Sequence, residues 1–508
     1  MTGTAAPHKA VGTAPGASVT AVVGLLVLFE AMSGITQMGI TPLLPELATA
    51  YGLDDSAVNW IGAVQLLAAT VCVPLFGRLG DLYGHRRMLR VALACVAAGS
   101  LLVALAPDPA LLWTGRALQG PLAALLPLEI ALVRDRLSVP DARRAIARLV
   151  GALTVGGLLG TVLMGALVSA FGDVRVALLV PAGLAAVCLA LSFVAVPESS
   201  TAVGARMDWA GFALLALGAT ALLAGISTLE QGGGAGPVVV GPLALGVALL
   251  AVGVRVELRR PDPLVDVQSL VDRRVGPFYL AAAGFGVVYF AAQAPDTTFL
   301  AADPRAAGYG FGMSSGQISL VLLPAIVAAV AGSAVTVPLA RRIGYRSALA
   351  GAFGLVAVSF LALAARHGTV GEIVVIKVLT GLGLGIALSA MPTVIVEAAD
   401  RSRSGVATAL YNDVKTFGGA LAGGLMAAVL ATSSHDAPTP DSAPAETAYV
   451  VVWTLCALCA AAGAGAALLA RRVEEADTLP GSSGAPTRRN TEDRETSRRP
   501  PVRQRRPW

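Results

Sequence analysis

Residues 77–87 read Gly77-Arg-Leu-Gly-Asp-Leu-Tyr-Gly-His-Arg-Arg87, between the apolar runs 57–76 and 88–106. Each run is about 20 residues long, the length that crosses a bilayer as a helix. The segment is therefore a tight polar loop joining two membrane helices. Its detail exceeds what a turn needs. Gly77 and Gly80 permit close helix approach, Asp81 can cap or pair at a helix N-terminus, and Arg86 and Arg87 hold the loop on one side of the membrane. Gly77, Arg78, Gly80, Asp81, Gly84, Arg86 and Arg87 form a candidate conformational latch.

Composition extends this reading to the whole chain. Of 508 residues, 55% are hydrophobic and 14% charged, and mean hydropathy is +0.72. Soluble domains carry about a quarter charged residues, so this chain could not cover its own surface in water. A soluble enzyme, a coiled coil, collagen and a disordered chain are excluded. Apolar runs fall at 18–43, 57–76, 88–106, 110–133, 146–170, 175–196, 209–229, 238–256, 276–299, 317–340, 347–365, 371–396, 405–431 and 448–470. The first is read as a retained helix, since no small-residue cleavage site closes it. Arginines cluster in alternate loops (78–90, 134–148, 206, 255–274, 341–346 and 401–403), whereas the opposite loops hold only Arg175, Arg305 and Arg366. By the positive-inside rule both termini are expected in the cytoplasm and the number of spans is even. The net charge of +5 thus reflects membrane topology, and no nucleic-acid partner is expected. Cys72, Cys95, Cys188, Cys456 and Cys459 all lie in apolar runs, where they read as small buried residues.

The loop is repeated. Leu79-Gly-Asp-Leu-Tyr-Gly-His-Arg86 aligns with Leu339-Ala-Arg-Arg-Ile-Gly-Tyr-Arg346 at an offset of 260. Arg116-x-x-Gln119-Gly120 aligns with Lys377-x-x-Thr380-Gly381 at 261, and Gly156-Gly157 with Gly418-Gly419 at 262. Three ordered matches at nearly constant offset relate spans 1–6 to spans 9–14. The expected organisation is a cytoplasmic tail (1–17), a six-helix half (18–197), two inserted helices (198–260), a second six-helix half (261–470) and a basic disordered tail (471–508). Duplicated halves are a transporter architecture, with the substrate site near midplane between them.

Charges inside spans are the functional candidates, because each costs about 2.5–3.5 kcal/mol at mid-helix on insertion scales. Glu30 stands near the middle of span 1, with Ser33, Gln37 and Thr41 following on one helical face. Such a stripe should line a cavity. A carboxyl group out of water is a candidate proton carrier; a static pair with a buried cation is the alternative. Arg116 in span 4 is the expected partner of Glu30, sharing a face with Gln119, Gly120 and Ala123; tethering helices through carbonyls is its alternative role. Glu129 lies 13 residues further on, about 140° round an ideal helix, and reads as a cytoplasmic gate or interfacial pairing residue beside Arg134 and Asp135. In the second half Tyr289, Gln293 and Asp296 form another stripe, and Lys377 and the cluster at Asn412, Asp413, Lys415 and Thr416 complete the polar set. Ser33, Gln37, Thr41, Gln119, Tyr289, Gln293, Asp296, Lys377 and Asn412 are thus the candidate cavity residues. The three lysines follow no phosphate-binding glycine loop, and the four histidines are scattered, so no metal site, nucleotide site or catalytic constellation is expected.

The 77–87 loop resembles the signature between helices 2 and 3 of the major facilitator superfamily. Arg116-Ala-Leu-Gln119-Gly120 resembles its helix-4 motif, whose arginine is implicated in proton coupling. Trp60, Pro74 and Asp208-Trp-Ala-Gly211 also fit, and with fourteen spans the chain is most similar to the fourteen-helix drug:proton antiporters. The helix-5 antiporter motif normally ends in Gly-Pro; here Thr161 stands where the proline belongs. The usual span-1 aspartate is replaced by Gln37, and Glu30 matches the acid of broad-spectrum multidrug antiporters. The resemblance implies a monomeric, multi-pass exporter of the bacterial cytoplasmic membrane with no cofactor. The proton gradient would drive efflux of amphipathic, hydrophobic or cationic molecules by alternating access, with Glu30 and Arg116 as the coupling pair. A proton symporter or facilitator importing a nutrient is the first alternative, a transporter-like sensor the second.

Overall fold

The computed structural model describes residues 19–134, 136–196, 207–230, 237–260, 265–399, 404–432 and 444–470; the two tails expected at 1–17 and 471–508 lie outside them. Apolar runs of this length in lipid have one stable fate, the helix, since only there is every backbone donor and acceptor satisfied within the segment. Among the described residues fourteen helices are long and apolar enough to cross a membrane. Spans 1–6 are Val23–Tyr51, Asp55–Tyr83, His85–Leu105, Pro109–Arg134, Arg144–Phe171 and Val174–Val194. Spans 7 and 8 are Trp209–Leu229 and Val238–Glu257. Spans 9–14 are Gly276–Ala301, Ser315–Ile343, Tyr345–Ala365, Val370–Ala398, Ala407–Ala431 and Glu446–Leu469.

Short loops punctuate them by known chemistry. Asp54 and Asp108 cap spans 2 and 4 by accepting from Ala57 N and Leu111 N at 2.7 and 2.8 Å. In the repeated loops Gly84 and Gly344 both take positive φ, 98° and 82°, a conformation that an L side chain resists. Gly80 is equally constrained, because a Cβ there would lie 2.9 Å from the His85 ring and 3.0 Å from Leu128. Gly77, read as a close-approach glycine, instead faces open space, so sterics do not require it.

Three spans are interrupted. Span 1 passes from α-helix to a 3₁₀ turn at Thr41–Leu43, with Pro42 at its start. Span 4 does so at Gly120–Ala124, with Pro121 at its start. Span 9 loosens into a π-helical turn at Val287–Ala291. A proline removes one amide donor and clashes with the preceding turn, and π-turns cluster at functional sites. Interrupted helices carry loosened backbone at mid-membrane, which lipid does not tolerate and a protein-lined cavity does.

The halves carry separate buried cores. One gathers Phe29, Leu93, Leu122, Leu149 and their neighbours from spans 1–6; the other gathers Phe285, Phe353, Phe360, Met391 and Trp453 from spans 9–14. Span 1 packs along span 5, and its repeat counterpart, span 9, along span 13. The halves meet where span 2 lies on span 13 and span 5 on span 10, which is the pairing a two-fold repeat requires. Spans 7 and 8 pack on each other, and span 7 rests on spans 2 and 13 from outside. Span 8 is only 11% buried and contributes no cavity wall.

Small residues set these crossings, as expected where lipid offers no hydrophobic drive for association. A Cβ on Gly156 would lie 2.8 Å from Ala31 Cα, and one on Gly418 would lie 3.0 Å from Ala283 Cα. Both obstacles are backbone, which cannot swing aside. Gly156→Ala is therefore expected to cost about 1–3 kcal/mol through overpacking, read as a lower unfolding temperature in detergent. Gly151→Ala, on the same span with nothing within 4 Å, is expected to leave it unchanged or raise it.

Candidate functional site

The interruptions in spans 1 and 9 face one another across the interface between the halves and enclose a small cavity of about 60 Å³. Gln37, Thr41, Gln65, Arg116, Phe290 and Gln293 are on its wall, with Gly419 and Gly423 of span 13 opposite span 2. This volume holds a few waters and is far below the roughly 300–1,000 Å³ of a drug-sized pocket. The cavity is closed at the end remote from the arginine-rich loops. There Thr41 Oγ1 donates to Gln293 Oε1 at 2.8 Å across the two halves. Ser315 N donates to Glu46 Oε1 at 2.8 Å and the Ser315 hydroxyl to Glu46 Oε2. Ser319 Oγ donates to the Thr161 carbonyl at 2.9 Å, and Tyr449 OH to Asp55 Oδ2 at 2.5 Å.

Arg116 is 2% exposed, and each of its three nitrogens donates to a neutral oxygen. Its Nε donates to the Ile61 carbonyl at 2.9 Å, Nη1 to Gln119 Oε1 at 2.6 Å, and Nη2 to Gln65 Oε1. Gln119 in turn donates to Ser100 Oγ at 2.8 Å. The helix ends its first α-segment at Leu118 and tightens at Gly120, which seats Gln119 beside the guanidinium. A Cβ at Gly120 would press within 2.6 Å of the Ala68 methyl, so the glycine allows span 4 to lie against span 2.

Glu30 does not reach Arg116. Its carboxyl faces that of Glu129, and none of the four oxygens meets a donor from the rest of the protein. Both side chains are buried, at 1% and 0% exposure, with Cys188 of span 6 beside Glu129. Glu129 is thus enclosed in the first half, deeper than an interfacial gate. The reason is helical phase. Five residues of 3₁₀ turn, at about 120° each in place of about 100°, bring Glu129 from about 140° to about 40° from the Arg116 face.

The span-1 stripe divides. Gln37 and Thr41 are on the cavity, Ser33 accepts from Gln37 Nε2 at 3.2 Å, and Glu30 lies two turns nearer the basic end. The second-half residues divide as well. Gln293 is on the cavity, held by its Nε2 bond to the Tyr289 carbonyl at 2.8 Å. Tyr289 stacks on Phe285 at 5.2 Å inside its own half. Asp296 is paired with Lys377 and accepts from Trp453 Nε1 at 3.0 Å, which ties spans 9, 12 and 14 together away from the cavity. Asn412 takes the span-13 register that faces Gly419, and its carbonyl accepts from Thr416 Oγ1 at 2.7 Å. In the loop, Asp81 pairs with His85 at 3.4 Å, Arg87 is exposed, and Arg78 and Arg86 are engaged.

The Major Facilitator Superfamily sequence profile matches residues 26–423 and again 282–507. The chain belongs to the major facilitator superfamily. It is a multi-pass membrane transporter, and proteins of this superfamily that resemble it are bacterial efflux proteins of the cytoplasmic membrane. The puromycin resistance protein of Streptomyces alboniger is 29% identical over 78% of this chain and 79% of its own. The cephamycin export protein of Amycolatopsis lactamdurans is 30% identical over 79% and 82%. Among solved structures, an auto-inhibited POT family peptide transporter superposes with a TM-score of 0.61 over 91% of this chain and 98% of that one, at 18% identity. That likeness speaks for the fold alone.

Several site residues escape a search restricted to charges. Gln65 and Asn59 are lone amides in an otherwise apolar span, and that rarity was the available signal. Glu46 and Asp55 flank a loop, where an acid is unremarkable until its partner across the interface is known. Gln65→Leu withdraws an acceptor from a buried guanidinium and should cost about 1.5–3 kcal/mol of stability, measurable by detergent melting. Linking Thr41→Cys to Gln293→Cys with a short bis-maleimide is expected to arrest transport, while either single variant treated alike stays active; transport that continues through the cross-link would show that the halves need not part there.

Proposed function

We propose that this protein exports amphipathic small molecules, such as a drug, an antibiotic or a secondary metabolite, in exchange for protons. The observation that carries the reading is the Glu30–Glu129 pair: two carboxyl groups in contact, sealed from water and lacking any protein donor. Two adjacent carboxylates cannot both remain ionised in such surroundings, so at least one proton belongs to the pair. A site of this kind has no structural purpose that an apolar pair would not serve better. Its natural use is to take up and release a proton as its exposure changes. The relatives named for puromycin resistance and cephamycin export favour the outward direction.

In this reading the termini are cytoplasmic, the protein works as a monomer without a cofactor, and the two halves rock about the crossings of spans 2 and 13 and of spans 5 and 10. The closed end, with its Thr41–Gln293 and Glu46–Ser315 bonds, faces away from the cytoplasm. Arg116 acts as the rigid wall of the path, fixed by Gln65 and Gln119, and no longer as a direct switch for Glu30.

Efflux from cells loaded with ethidium, fluorescein or puromycin, with and without an uncoupler, tests the proposal. Uncoupler-sensitive efflux of at least one compound is expected. Glu30→Gln and Glu129→Gln should each reduce energised efflux at least tenfold while sparing substrate exchange between equal pools, which needs no net proton movement. Efflux indifferent to the uncoupler and to both substitutions would sink the mechanism.

A further inference from the structure

The two halves hold their repeat-related cations differently. Lys377 is neutralised by Asp296 within its own half. Its counterpart Arg116 is held by a carbonyl and two amides, which engage one N–H on each guanidinium nitrogen and leave its charge without a carboxylate on the cavity wall. A second cation stands on the other side. Lys415 is one turn from Gly419 on the same face of span 13, and its ammonium lies 5.9 Å from the Phe290 ring centre and 5.4 Å from that of Tyr411. Phe290 is itself part of the cavity wall. Among the described residues Lys415 has no ion-pair or hydrogen-bond partner; the ring faces attract it without cancelling its charge.

Five acids of the membrane region have partners of their own. Glu30 and Glu129 face each other inside the first half, Asp296 is on Lys377, Glu46 on Ser315 and Asp55 on Tyr449. Asp413 precedes Lys415 by two residues and so points about 160° away round the helix, with its Oδ1 buried and without a hydrogen-bond partner. It lies toward the flank of Gly424, which meets Leu223, Ile226 and Trp60. Arg116 thus stands on the cavity wall, and Lys415, from the opposite half, lies against Phe290 of that wall; among the described residues no carboxylate is paired with either.

We infer that the cargo carries a negative charge on an apolar body, an amphipathic organic anion such as a carboxylate or phenolate, engaged by Arg116 from one half and Lys415 from the other. This rests on the export reading and narrows its substrate class, against the cationic cargo that the sequence alone suggests. A ligand bridging the two cations supplies the counter-charge that neither finds in an ion pair, and the Phe290 face on the cavity wall receives its ring. The electrical sign is also favourable: with the interior negative, an anion leaving and a proton entering both move down the potential.

Uptake into inverted membrane vesicles tests this with fluorescein, an aromatic carboxylate, and ethidium, a cation of comparable size. Fluorescein uptake is expected without ethidium uptake. It should fall at least tenfold in Lys415→Gln and survive in Lys415→Arg. On the wild-type protein, naphthalene-2-sulfonate should compete and naphthalene should not, a comparison that holds even if Lys415→Gln fails to fold. Uptake of ethidium alone, equal fluorescein uptake in Lys415→Gln, equal competition by naphthalene, or uptake of neither dye would each overturn the inference. Uncoupler-sensitive ethidium uptake would do so while leaving proton-driven export standing. Fluorescein uptake indifferent to the uncoupler and to Glu30→Gln would instead remove the proton and leave the anionic cargo.

Discussion

Two glycine pairs, Gly156–Gly157 and Gly418–Gly419, let spans 5 and 13 run against the backbones of spans 1 and 9. The rest of the architecture hangs on these crossings. Spans 1 and 9 are interrupted within their membrane-crossing lengths, and an interrupted helix in lipid must be braced by a continuous neighbour at short range. Span 5 is a single helix from Val139 to Phe171, and span 13 one from Ser404 to Thr432. Each holds its broken partner closely enough for the loosened turns at Thr41–Leu43 and Val287–Ala291 to meet across the cavity. The same continuous helices reach across to the other half, so the braces are also the interface. Thr161 shows the economy of this: its carbonyl accepts Ser319 from span 10 while its hydroxyl bonds back to Gly157 at 3.0 Å. A proline at 161 would forfeit the amide and hydroxyl donors and part of the helix's continuity.

What could be read from the sequence is what depends on length and periodicity. A run of about 20 apolar residues has one solution in lipid, so His85–Leu105 and Val238–Glu257 fall within a few residues of the runs at 88–106 and 238–256. The repeat was legible because its glycines answer backbone demands, positive φ at Gly84 and Gly344 and contact at Gly156 and Gly418. Side-chain partnership was not legible. Charge alone points Arg116 at Glu30, yet neutral amides from span 2 and its own next turn reach the guanidinium first. An ideal-helix count misplaces Glu129, because the Gly120-Pro121 interruption resets the helical phase. Asp296 and Lys377 looked like cavity residues because a stripe and a lone cation look alike whether they face a path or each other.

Duplication supplies the frame, and departures from it supply the function. Arg116 and Lys377 occupy matching places, but a carboxylate neutralises only the second. Glu30 and Glu129 have no carboxylate counterparts in spans 9 and 12, where positions of the second repeat carry apolar residues around Ala282 and Ala390. The first half thus holds the candidate proton site and one buried cation on the cavity wall that has no carboxylate partner. The second is internally neutralised near span 12 and contributes Lys415 from span 13. An unpaired charge at a helix centre costs about 2.5–3.5 kcal/mol on insertion scales, which a merely structural residue would not repay.

This division bears on how two fluxes can be coupled without contact between their sites. In the proposed cycle the acid pair and the cation pair need not touch, because span 4 carries a member of each. Arg116 precedes the 3₁₀ turn and Glu129 follows it. A bridging anion held on Arg116 loads the segment on one side of that turn, and protonation of the Glu30–Glu129 pair relaxes repulsion on the other. A turn containing Pro121 already lacks one intrahelical donor, so it has a softer bend than the α-segments flanking it. In that proposed cycle the interruption itself is the coupling element. Its two ends would answer to opposite charges in that cycle, and a continuous helix in its place would leave the proposed proton and anion sites without a common bend.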